Sequence, residues 1–156
     1  MRITHGQYAL AEGVSYTTPD LMYAVTYNDR QLVAHGLFHQ RDFRQGAQIT
    51  KLHGTFITIE VSSPCADVLR IRASHHERPP TAAGEFPLDY TQTQPLHITE
   101  TADSLLVSSG RLAVRLHKNP WRLDFLDDAG QLCTSSPLQG LGFAELTSGQ
   151  QFMGEN

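Results

Sequence analysis

The apolar residues of this chain recur mostly every second position, and no stretch of ten or more residues carries an apolar stripe of helical period. Period two sends successive side chains to opposite faces of a strand, so each such segment must bury one face against something else. Val68–Ala73 and Leu112–His117 alternate apolar with polar residues, and Trp121–Leu126 repeats the pattern. Phe56–Val61 is β-branched and aromatic. Leu21–Thr26 and Gln31–His35 predict a hairpin with Tyr27–Arg30 as its turn, and Leu96–Glu100 with Leu105–Val107 predicts a second pair. Between the runs lie turn residues. Asp127-Asp128-Ala129-Gly130 fits a type I turn closed by Gly, Ser108–Arg111 links two strands, and Pro120 interrupts a ladder because it has no N–H. Many short strands with frequent turns predict an all-β, antiparallel sandwich or barrel.

Two segments fall outside this rhythm. Ser74–Pro95 holds Pro79, Pro80, Gly84, Pro87 and Pro95 and reads as a long loop, a kind of segment that often carries function. Phe143–Asn156 starts apolar and turns polar and Gly-rich, with nothing in it that closes a strand or a helix.

At 156 residues the chain is long enough for one domain with a real core. With 40% apolar and 18% charged residues it is a folding composition rather than a disordered one. A net charge of −4 gives no pull toward nucleic acid or an anionic membrane, and no apolar run approaches a bilayer span. Arg2 is followed by no apolar h-region, so a cytoplasmic location is the expectation. Two distant cysteines, Cys65 and Cys133, read as free thiols or small apolar residues rather than a disulfide framework.

Residue types that carry chemistry are present without an evident constellation. His35 and His39 have the spacing of two ligands on one helix face. On a strand, however, they stand about 13 Å apart, too far for one zinc with bonds near ~2 Å. His75 and His76 are adjacent and point to opposite sides of a strand. No metal site and no cofactor are expected. Glycoside hydrolysis needs two carboxylates roughly 5–9.5 Å apart. The aspartates Asp20, Asp29, Asp42, Asp67, Asp89, Asp103, Asp124, Asp127 and Asp128 fall mostly in turns, where Asp bonds its own backbone. No catalytic residue is assigned, and the substrate-binding residues are not identified. Of the aromatics that could stack on a sugar, Trp121 shares a face with Leu123 and Phe125 and reads as core. Tyr23 is a further visible aromatic, and Phe86 and Tyr90 sit in the long loop, where binding and loop anchoring weigh evenly.

Taken in order, the segments resemble a known family. Met1-Arg2-Ile3-Thr4-His5-Gly6-Gln7-Tyr8 resembles the opening of bacterial α-xylosidases of glycoside hydrolase family 31. Leu69-Arg70-Ile71-Arg72 is similar to the strand before that family's long loop, and Glu85-Phe86-Pro87-Leu88 to the loop's tail. Ser109–Leu126 resembles its strand, aromatic turn and second strand. The resemblance covers nearly the whole chain and implies a galactose-mutarotase-like β-sandwich, the N-terminal domain of a longer α-glycosidase. In such enzymes a (β/α)8 barrel holds an Asp nucleophile and an Asp general acid/base and releases α-linked sugars from non-reducing ends with retention. Neither Asp can be carried over, because the barrel segments are not in this sequence. The family's Tyr-Gly-Leu-Gly-Glu stretch has only partial echoes, at Gly140-Leu141-Gly142-Phe143 and Met153-Gly154-Glu155.

The resemblance therefore implies that residues 1–156 form a single non-catalytic domain that ends short of the complete sandwich. It packs on the barrel, lends a loop to the active-site rim and takes part in a homo-oligomer. Its partners are the parent's barrel and, through it, a carbohydrate, not nucleic acid or membrane. The barrel-facing surface is expected to be apolar. An independent carbohydrate-binding module is the alternative, and a mutarotase-like enzyme with a His general base is a third reading.

Overall fold

The computed structural model describes residues 2–4, 7–9, 13–39, 56–75, 94–136 and 140–155. A short hairpin, β1 (Arg2–Thr4) and β2 (Gln7–Ala9), pairs Ile3 with Tyr8. Six strands form the first main sheet: β3 (Val14–Tyr27), β4 (Gln31–His39), β5 (Phe56–Ser62), β6 (Arg70–His75), β12 (Leu141–Leu146) and β13 (Gln151–Glu155), in the order β13-β12-β3-β4-β5-β6. Five consecutive strands form the second: β7 (His97–Glu100), β8 (Ser104–Ser109), β9 (Leu112–His117), β10 (Arg122–Leu126) and β11 (Leu132–Ser136), in the order β11-β10-β9-β8-β7. Every pairing is antiparallel. The fold is an all-β antiparallel sandwich, with no helix among the described residues.

Alternation decides what lies between the sheets. Leu32 and Ala34 of β4 and Ile57, Ile59 and Val61 of β5 face Leu105 and Val107 of β8, Val114 and Leu116 of β9 and Leu123 of β10 in one buried cluster. Trp121, in the turn before β10, is 1% exposed and belongs to the same cluster. Its indole can approach β4 because residue 36 is glycine. A Cβ there would stand 2.8 Å from Ile57 Cγ2 and 3.3 Å from Trp121 Cζ3, closer than the packing tolerates.

The sheets are also joined through the backbone. Beyond Thr17, β12 no longer runs beside β3. Register shifts flank Asp20 and Tyr23, which is how a bulge turns backbone groups away from the ladder. There Trp121 N donates to Asp20 O (2.7 Å) and Met22 N donates to Lys118 O (2.8 Å). The segment entering β7 is tied in likewise, Leu96 N to Asp29 O (2.7 Å) and Gln94 N to Ser63 O (2.9 Å).

The expected hairpins form at the expected places. Asn28 Oδ1 accepts from Arg30 N (2.8 Å) and Gln31 N (2.9 Å), so the β3–β4 turn is built on an Asn side chain. In the β10–β11 turn Gly130, at φ 74°, donates to Asp127 O (3.0 Å), while Asp127 Oδ1 accepts from Gln131 N (2.7 Å). Two expectations need correction. The stretch from Phe143 onward is not shapeless: β12 and β13 form a hairpin, Phe143 opposite Met153, whose turn is closed by Gly149 N donating to Leu146 O (2.8 Å). The β6 strand begins at Arg70 rather than Val68, because Val68 N closes a turn onto Cys65 O (3.3 Å), and it runs through Ser74 to His75. The rest of the expected loop, 76–93, lies outside the described residues.

Candidate functional site

On the outer face of the five-stranded sheet, β9 and β10 bring three ionisable side chains together. Leu116 and Leu123 face each other in the core, so the intervening register pairs His117 with Arg122 and Arg115 with Asp124 on the opposite face. Asp124 is 3% exposed. Its Oδ2 accepts from His117 Nε2 (2.8 Å) and from the Arg122 guanidinium. Burial alone would raise the Asp124 carboxyl, but the hydrogen bonds from Arg122 and His117, with their charge, hold it below the usual carboxylate range. Its Oδ1 has no hydrogen-bond partner among the described residues.

Among the described residues no hydroxyl or thiol is bonded to this aspartate–histidine pair. The hydroxyl facing His117 across the β8–β9 ladder is Ser104, and it engages Thr101 Oγ1 (3.2 Å) in the β7–β8 turn. The charged group fastens β9 to β10. Beside it an open hollow of ≈ 340 Å³ is lined by Leu106, Ala113, Leu126, Arg111, Arg115 and Asp127, among others.

A second cluster bridges the two sheets. The hydroxyl of Tyr27, the last residue of β3, donates to Glu100 Oε2 (3.0 Å) at the end of β7. Lys118, in the β9–β10 turn, donates to Glu100 Oε1 (2.7 Å) and to Thr101 O (2.8 Å). The Lys118 hydrogen bond, then that from Tyr27, lowers the Glu100 carboxyl. The bond to Glu100 in turn raises the Tyr27 phenol. Tyr27 as a whole residue stays 47% exposed.

A third link joins the β5–β6 loop to the β8–β9 turn. Asp67, at φ 61°, accepts from Arg111 N (2.6 Å) and Arg111 Nε (3.2 Å). Beneath it the buried Ser63 and Ser109 hydroxyls bond at 2.7 Å, with Ser63 donating onward to Cys65 O (2.9 Å).

The residues singled out from the sequence scatter over this frame. Trp121 is core. Tyr23 is half exposed, its ring tilted 40° against that of His35 at 5.9 Å between centroids. His35 lies on a strand, as its neighbours required, with Nδ1 3.2 Å from Thr58 Oγ1. His39 and His75 are in β4 and β6, while His76, Phe86, Tyr90, Asp42 and Asp89 lie outside the described residues. Asp127 and Asp128 are turn residues. Among the described residues no group of three or more His, Cys, Asp or Glu is placed to hold a metal ion, and both cysteines are free and exposed. The exposed large apolar side chains there are Tyr23 and Tyr27 on β3, Val68 in the β5–β6 loop, Leu112 on β9, Leu132 on β11 and Phe152 on β13. The sequence reading missed the Asp124 and Glu100 clusters. The first had a signal: Arg122 and Asp124 share a strand face, and a tight turn at Lys118–Trp121 sets His117 across from them.

No protein-family model matches the chain. Solved structures do. A crystal structure of an uncharacterized protein from Listeria monocytogenes superimposes with a TM-score of 0.61 at 18% identity, over 84% of this chain and 11% of that one. The same values hold for a cycloalternan-forming enzyme from Listeria monocytogenes solved with a pentasaccharide substrate. They hold again for the uncharacterized protein in complex with α-D-glucose, β-D-glucose, magnesium and calcium. This chain and a small part of those proteins share a fold. It spans about a tenth of their length, so nine-tenths of each has no counterpart here.

Proposed function

We propose that this chain is a non-catalytic β-sandwich domain of a larger carbohydrate-active enzyme, the N-terminal domain of a cytoplasmic family 31 α-glycosidase of the α-xylosidase kind. The observation that carries the reading is the disproportion in coverage: 84% of this chain lies on 11% of an enzyme solved with an oligosaccharide substrate. A domain of that size packs on the catalytic part and shapes the rim of its pocket without supplying the reacting groups. The segment between β6 and β7 is the candidate for the rim. The parent's barrel then supplies the nucleophile and the acid/base pair and sets the glycone, and the assembled enzyme is a homo-oligomer.

The test compares the 156-residue chain with the product of the whole reading frame on aryl α-xylosides and α-glucosides. The chain alone is expected to release no phenol above the uncatalysed rate, and the whole product to release it with retention. Turnover by the chain alone overturns the reading.

A further inference from the structure

We propose that the exposed ring of Tyr27 is a stacking platform for a neutral pyranose unit, with Glu100 and Lys118 binding its hydroxyls. The sugar class rests on the function proposed above, and the platform itself rests on geometry.

An aromatic residue left 47% exposed at the end of a strand is ordinarily free to move. This one is not, because its hydroxyl is fixed on Glu100, Glu100 is fixed by Lys118, and Lys118 is fixed on the backbone of Thr101. A ring held in place before binding loses little freedom when a ligand stacks on it. A pyranose presents a face of C–H bonds that packs on an aromatic surface, and a rim of hydroxyls that both donate and accept. The groups beside Tyr27 match such a rim. Among the described residues two of the three Lys118 ammonium hydrogens are used, leaving one donor, and each Glu100 oxygen carries a single bond and keeps acceptor capacity. Lys118 and Glu100 retain exposure of 24% and 36% at the side chain. Their charges cancel, so the cluster favours neither an anion nor a cation, and a neutral polyol is the ligand class it fits.

Amide chemical shifts of the 156-residue chain, followed while methyl α-xyloside or maltotriose is added to about 50 mM, test this. The expected result is saturable shifts at Tyr27, Asn28, Glu100 and Thr101 with half-saturation on the order of millimolar. They vanish in Tyr27→Ala and weaken several-fold in Lys118→Met. If the Tyr27→Ala spectrum shows loss of fold, Lys118→Met decides, and an unchanged affinity there overturns the platform. Shifts that are absent, or that map to another face, also overturn it. A whole reading-frame product that hydrolyses α-glycosides, with no sugar shifts in the domain, sinks the platform and leaves the proposed function standing. Saturable shifts in a chain with no catalytic partner do the reverse.

Discussion

Asp124 is the residue on which the outer face of the second sheet turns. A carboxylate 3% exposed is tolerated because His117 and Arg122 donate to it. Replacing it by Ala leaves the Arg122 guanidinium and the His117 imidazole without their acceptor and is expected to cost about 1–3 kcal/mol in denaturant unfolding. The pH dependence has a defined sign. The folded-state carboxyl lies below its unfolded value, so its stabilisation is present above the unfolded pKa of about 3.9 and is lost as pH falls through the folded one. Unfolding midpoints between roughly pH 5 and pH 2 are therefore expected to fall less steeply in Asp124→Asn than in the unaltered chain. Gly110 is a second sensitive position. Its φ is 59°, and a Cβ would overlap the carboxylate of Asp67 that caps the turn. Gly110→Ala is expected to lower stability by about 1–3 kcal/mol, and equal midpoints would contradict the Asp67 clasp. At this scale the sequence was legible where one strand's alternation sufficed: Trp121, Leu123 and Phe125 read as one inward face, and Trp121 and Leu123 are fully buried while Phe125 packs partly buried against them. It was not legible where meaning depended on a partner strand. Asp124 looks like one aspartate among many until the register sets His117 and Arg122 around it.

Strands whose side chains alternate strongly were found with small boundary errors, and β9 was found to the residue. The β12–β13 hairpin was missed for a physical reason. Gly142 and Gly154 interrupt its apolar alternation and face each other across the ladder, so the pairing is held by backbone bonds and a Gly149 turn rather than by side-chain pattern. Gly142 itself is required by contact, because a Cβ there would lie 2.6 Å from the Tyr16 hydroxyl. The last strand of the five-stranded sheet, β11, has the opposite character. It stands at the sheet's edge, four of its five residues are exposed, and Leu132 among them is 58% exposed. It carries no Lys or Pro of the kind that blocks pairing with another chain. Sedimentation is expected to show concentration-dependent self-association that Leu132→Lys reduces. A monomer at all concentrations in both would show that the edge is covered.

The molecule as a whole is two sheets of different width held by one core and by links at several places around it. Trp121 is its centre, reaching from the β9–β10 turn of one sheet to Gly36 of the other. As the only tryptophan, it reports the sandwich directly. Its emission is expected to be blue-shifted in the native state and to move red in a single transition with unfolding, and Trp121→Ala is expected to cost about 3–5 kcal/mol. A transition that precedes loss of β signal would mean that the sheets separate before they unfold. The sandwich class was readable from period two, but the packing of the sheets was not, since it depends on the bulges at Asp20 and Tyr23 that free backbone groups of β3 for Lys118 and Trp121. The same frame matches a small part of much longer sugar-linked proteins, and the proposed function holds that the chemistry resides in the remainder. Reading the coding sequence beyond the codon for Asn156 tests that claim most directly. The account predicts several hundred further codons with a strand–helix repeat and an aspartate at the end of a barrel strand. A stop codon immediately after Asn156 would contradict it.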